Sequence, residues 1–165
     1  MDNMSGVTRD RHYGHAEWNG KYFTVIDTGG YVSGSDDKFE SEIRKQVEMA
    51  LEECDAVIFM VDCKDGLTGY DKEFAKIIRR SKKPVFIAAN KADTPSQTLL
   101  GNEFYELGMG EIYPISAENG SGSGELLDEL VKVFQDDGVE NFNIAKSDLL
   151  CLESRSLNIT SEISR

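Results

Sequence analysis

The spacing of apolar residues along these 165 residues switches repeatedly between a period of two, a period near 3.6 and unbroken runs. Each switch predicts a change of element. His12 to Asp27 reads as a hairpin, because Asn19-Gly20 is a strong two-residue turn signal and Trp18, Tyr22, Phe23, Val25 and Ile26 favour strands. Phe39, Ile43, Val47, Ala50, Leu51 and Cys54 then recur at helical spacing, with Ser35, Asp36 and Asp37 placed to cap the start. The continuous apolar runs Ala56 to Val61, closed by Asp62, and Pro84 to Ala89, closed by Asn90, have the length of strands buried on two faces. Phe74, Ile77 and Ile78 predict a helix over Tyr70 to Ser81 between them. A helix around Leu99 to Leu107, a short strand at Glu111 to Ile115 and a helix from Glu125 to Phe134 complete the series.

Strands alternating with helices imply an α/β fold with a mostly parallel sheet, helices on both sides and ligands at the carboxyl ends of the strands. The length suits one domain. Residues 1–141 form that domain. Residues 142–165 lack a clear period, hold five serines and read as a weakly ordered tail. The net charge of −12 belongs to the first 141 residues, since three acidic residues balance three basic ones from Phe142 onward. Such a field repels nucleic acid phosphates, which argues against DNA as a partner. No run approaches the ~18 apolar residues of a membrane span. Cys54, Cys63 and Cys151 form no close-spaced pair, so a reducing cytoplasm is the expected compartment.

Chemistry concentrates where predicted strands end. Asn90-Lys91-Ala92-Asp93 follows one apolar run. A carboxylate there can accept two hydrogen bonds, from the ring N–H and the exocyclic amine of guanine, a donor pair that adenine lacks. On this reading Asp93 makes the bidentate contact, Lys91 lays its stem along the ring and Asn90 ties neighbouring loops together. Ser116-Ala117 follows the next strand and would offer a backbone N–H to the guanine oxygen. Asp27-Thr28-Gly29-Gly30 fits the Asp-x-x-Gly pattern, in which the carboxylate holds Mg²⁺ through water and a glycine N–H senses the terminal phosphate. Tyr31 follows, where a glutamine would orient an attacking water. Thr8 would ligate Mg²⁺ in the triphosphate state. No residue stands out as catalytic. His12 and His15 have no carboxylate or cysteine at metal-ligand spacing, and Gly120 to Gly124 reads as a flexible lead into the last helix.

Gly6-Val7-Thr8-Arg9-Asp10-Arg11, the Trp18-x-Gly20-x-x-Phe23 hairpin, Asp27-Thr28-Gly29-Gly30 and Asn90-Lys91-Ala92-Asp93 together resemble the first GTPase domain of the Der (EngA) family. The resemblance runs from about Ser5 to about Asn141. It implies a P-loop NTPase-like, three-layer G domain that binds GTP or GDP with Mg²⁺, and a GTP hydrolase acting in assembly of the large ribosomal subunit. Family members carry two GTPase domains and a KH-like domain. No Gly-x-x-x-x-Gly-Lys-Ser/Thr loop occurs in these residues, so the opening strand, phosphate loop and first helix of the family pattern are missing. Because that strand lies centrally, its loss is expected to expose two apolar strand edges and impair nucleotide binding. The competing expectation is a non-enzymatic interaction module that keeps the switch surfaces for a ribosomal partner.

Overall fold

The computed structural model describes residues 12–27, 37–134 and 147–153. Its first element is the hairpin, β1 (His12–Trp18) and β2 (Lys21–Asp27), in antiparallel register from His12↔Asp27 to Trp18↔Lys21. Asn19 and Gly20 both take positive φ, 51° and 78°, as a type I′ turn requires. This turn matches the twist of the strands it joins. Trp18 Nε1 and Asn19 Nδ2 both donate to Asp128 Oδ1, at 2.7 and 2.9 Å, so the hairpin tip is tied to a helix more than a hundred residues away.

Helix α1 (Asp37–Glu53) leads into β3 (Ala56–Asp62), every residue of which is buried. Helix α2 (Gly69–Ser81) follows. Its start is fixed by a capping box in which the Thr68 side chain accepts from Asp71 N–H and the Asp71 carboxylate accepts from Thr68 N–H. Strand β4 (Val85–Asn90), helix α3 (Pro95–Leu100), a 3₁₀ stretch at Gly101–Leu107, β5 (Ile112–Pro114) and α4 (Ser123–Val131) come next. The stretch predicted as one helix near Leu99 to Leu107 thus divides into an α and a 3₁₀ part. Gly101 sits at the change, with Ala89 Cβ and Cys63 Sγ only 3.5 and 3.7 Å from where its own Cβ would be.

The last described element departs from expectation. Residues Ser147–Glu153, inside the stretch expected to be a weakly ordered tail, form strand β6. The sheet order is β1-β2-β6-β3-β4-β5. β6 runs parallel to both neighbours, from Phe23↔Ser147 to Asp27↔Cys151 on one side and from Ala56↔Leu149 to Met60↔Glu153 on the other. It therefore lies between β2 and β3, the position the family resemblance assigns to an opening strand. The predicted exposure of two inner edges is corrected: the N–H and C=O groups of β2 and β3 that face each other across this gap find partners on β6. The outer edge at β5 is three residues long and ends in Pro114, which limits further pairing.

Alternation within β3 divides the core. Val57, Phe59 and Val61 pack with Val47, Leu51, Phe74, Ile78, Phe104 and Leu107 on the face covered by α1, α2 and the 3₁₀ stretch. Ala56, Ile58 and Met60 pack with Phe23, Val25, Leu126, Leu130, Phe134 and Leu149 on the face covered by α4. The result is the expected three-layer arrangement. Leu149 has no solvent exposure and joins β6 to that second cluster. Leu149→Ala should therefore lower stability by about 2–5 kcal/mol, read as a fall in urea midpoint at constant slope, whereas a loosely attached strand would leave the midpoint unchanged.

Candidate functional site

In a parallel sheet all strand carboxyl ends lie on one edge, and β2, β3 and β4 end there in Asp27, Asp62 and Asn90. Asp62 and Asn90 are register partners, so the loops that follow them start side by side. The Cys63 N–H donates to the Asn90 carbonyl at 2.9 Å and closes that junction. Beyond Asn90 the chain turns through Lys91, whose φ of +64° is a left-handed conformation uncommon outside glycine. The Ala92 N–H then donates to the Ile115 carbonyl at 3.0 Å, tying this loop to the one after β5.

Four of the sequence-predicted residues meet in two hydrogen bonds. Asn90 is buried, and its Oδ1 accepts the Ala117 N–H at 3.0 Å. The Ser116 hydroxyl, also buried, donates to Asp93 Oδ1 at 2.7 Å. The donor that would face a guanine oxygen, the Ala117 N–H, is thus engaged with Asn90. Gly120 to Gly124, expected as a flexible lead, is instead a hydrogen-bonded turn. Ser116 N–H donates to the Ser121 carbonyl at 2.9 Å and Gly120 N–H to the Ser116 carbonyl at 2.8 Å. Gly122 has φ +76° and an added Cβ would stand 2.1 Å from the Pro114 carbonyl oxygen, so only glycine fits there.

Two further residues complete the arrangement. Asp62 Oδ1 accepts the N–H groups of Lys64 and Asp65 at 2.8 and 3.2 Å, and its Oδ2 is paired with the Lys91 ammonium at 2.5 Å. The Lys64 ammonium in turn pairs with Asp93 Oδ2 at 2.9 Å. Each loop therefore lends its lysine to the aspartate of the other. Burial pushes the Asp62 carboxyl up, but the Lys91 side chain and the two backbone N–H groups outweigh it and hold the group below its ordinary value. The Ser116 hydroxyl and then the Lys64 ammonium hold Asp93 low as well. The neighbouring Cys63 thiol is pushed up to about 11 by burial and by Asp62, Glu103 and Asp93, so it stays protonated and unreactive.

The sequence reading passed over the roles of Asp62 and Lys64. Asp62 carries a usable signal, a carboxylate closing a wholly apolar strand. Lys64 carries none, because its partner lies 29 residues away. Thr8, Thr28, Gly29, Gly30 and Tyr31 lie outside the described residues, so of the phosphate-side group only Asp27 is placed. Among the described residues there is no cluster of three or more histidine, cysteine, aspartate or glutamate side chains able to hold a metal. No described helix is long and apolar enough to cross a membrane.

A six-stranded sheet with helices on both faces defines an α/β domain of the GTPase type. The family model described as 50S ribosome-binding GTPase matches residues 1–91. The chain belongs to this GTPase family, in its Der branch. GTPase Der of Cytophaga hutchinsonii is 60% identical over 143 residues, covering 87% of this chain and 33% of that protein. GTPase Der of Christiangramia forsetii is 57% identical over 132 residues, covering 80% of this chain and 30% of that protein. The chain thus spans about a third of the length of these curated relatives. Among solved structures, one titled a probable GTP-binding protein engB superposes with a TM-score of 0.54 at 21% identity, covering 73% of this chain and 80% of that one, which supports the fold alone.

The low-lying Asp62 carboxyl makes a pH prediction. Its folded value lies below the ordinary aspartate value of 3.8, so its contribution is present above that pH and is lost as pH falls through the lower folded value. Asp62→Asn should flatten the acid limb of a plot of Tm against pH below about pH 4. An unchanged limb would show that the Asp62–Lys91 pair does not stabilise the fold.

Proposed function

We propose that the carboxyl edge of this sheet binds the base of a guanine nucleotide through Asp93, Asn90, Lys91, Ser116 and Ala117. In the intact protein this recognition serves GTP hydrolysis coupled to assembly of the large ribosomal subunit. The observation that carries the reading is the bracing of Asp93. A buried serine hydroxyl fixes one carboxylate oxygen, while Asn90 ties the adjoining loop through the Ala117 N–H. Membership of a family described as 50S ribosome-binding GTPase, and relatives named GTPase Der, support the larger role.

The phosphate side is served differently. Within these residues the candidates are Asp27 with Thr28, Gly29, Gly30 and Tyr31, and Thr8, and no glycine-rich Lys-Ser/Thr loop accompanies them. A carboxylate such as Asp27 suits Mg²⁺, which keeps several waters and takes other ligands from bound phosphates. When bound, that ion supplies charge neutralisation at the phosphates. A bidentate base contact is worth about 1–3 kcal/mol, whereas millimolar affinity needs about 4 kcal/mol. Base recognition by these residues is accordingly weak.

The internal pairing of both base-reading groups favours a second reading, an interaction module that keeps the switch surfaces for a ribosomal partner. It requires co-sedimentation with ribosomal particles regardless of GTP.

Titration of the ¹⁵N-labelled chain with guanosine, adenosine and GDP with Mg²⁺ tests the first reading. Guanosine should shift the amides of Asp93 and Ala117 only at millimolar concentration, adenosine should not, and Asp93→Ala should abolish the response. Micromolar GDP binding would overturn the weak phosphate grip, and equal responses to both nucleosides would overturn base recognition.

A further inference from the structure

Both carboxylate oxygens of Asp93 carry a hydrogen-bond donor before any ligand arrives. Ser116 Oγ donates to Oδ1 at 2.7 Å and Lys64 Nζ to Oδ2 at 2.9 Å. We propose that Lys64 is an affinity-determining residue of this pocket: its ammonium occupies the carboxylate in the free protein and must be displaced by the donor pair of the incoming base. The inference rests on the base-binding reading above and adds to it a competitor built into the neighbouring loop.

The two partners differ in freedom. The Lys64 side chain is 46% exposed and that of Asp93 only 22%. An ammonium on a four-carbon stem is well hydrated when released, so the lysine can leave while the carboxylate stays. The Lys64 backbone does not need to move, because its N–H remains bonded to Asp62 Oδ1 at 2.8 Å. The released charge also stays near acidic company, since Asp62 and Glu118 act on Lys64 together with Asp93. Lys91 cannot take over at Asp93, as its own ammonium is held by the buried carboxylate of Asp62. Two lysines at the same edge thus divide the work: Lys91 is committed to the frame, and Lys64 is the exchangeable occupant.

Occupancy by a competitor lowers apparent affinity by the fraction of time the carboxylate is covered. A partly exposed ion pair of this kind corresponds to roughly a three- to fivefold effect. Salt gives a second signature with an unusual sign. Screening weakens the Lys64–Asp93 pair, so binding of an uncharged nucleoside should strengthen as ionic strength rises.

The experiment measures guanosine affinity, by amide shifts at Asp93 and Ala117, for the chain and for Lys64→Met and Lys64→Arg, whose fold is checked in the same spectra. Ionic strength is varied between about 0.01 and 1 M, over which the screening length falls from about 30 to 3 Å. Lys64→Met should bind roughly three- to fivefold more tightly with no salt dependence, while Lys64→Arg should keep both the weaker affinity and its rise with salt. Equal or weaker binding by Lys64→Met, or affinity of the unaltered chain falling with salt, overturns the proposal and leaves base recognition standing. No response to guanosine in any of the three overturns both.

Discussion

The parallel pairing of Ser147–Glu153 between the hairpin and the rest of the sheet is the interaction on which this structure depends. Strands β2 and β3 make no ladder with each other, and each pairs with β6 instead. Remove that strand and the sheet separates into a two-stranded hairpin and a three-stranded remainder. A hairpin alone is marginal in water, and three strands gain stability only with a covered apolar face. β6 closes both gaps. It satisfies two rows of backbone donors and acceptors and places Leu149 in the cluster under α4. The helix bears on the hairpin as well, through Asp128 and the tip residues Trp18 and Asn19. The second layer and the central strand therefore support one another.

The site depends on a different part of the same sheet. The register of β3 and β4 sets Asp62 beside Asn90, and from that adjacency the reciprocal pairs follow, Lys91 to Asp62 and Lys64 to Asp93. The two pairs are not equivalent. Asp62 is buried and doubly bonded to backbone, so its lysine is part of the frame, whereas the Asp93 pair faces solvent and is exchangeable. A buried carboxylate left without its cation would be costly, which explains why the left-handed turn at Lys91 is maintained despite its conformational cost.

Much of this was legible in the sequence because it is written locally. Asn19-Gly20 specifies its turn by the sign of two φ angles. The unbroken runs before Asp62 and Asn90 announce strands with no solvent-facing side. The base-reading residues were legible for the same reason, since they follow directly on such runs. Residues 147–153 were not. Leu149-Leu150-Cys151-Leu152 is an apolar run, but it is short and lies in a serine-rich stretch without period, so nothing local separates a strand from a collapsed coil. Only the open partners on β2 and β3, more than 80 residues earlier in the chain, make it a strand. Lys64 was missed on similar grounds, and the turn at Gly120–Gly124 was misjudged because glycine and serine spell flexibility until the Pro114 carbonyl closes over Gly122.

Native-state hydrogen exchange of the β6 amides, compared with those of β2 and β3 that face them, tests the central role of this strand most directly. If β6 holds the two halves together, all three sets exchange through one opening of equal free energy and respond identically to added urea. Fast exchange in β6 beside lasting protection in β2 and β3 would contradict the account, for it would show that the sheet stands without its middle strand.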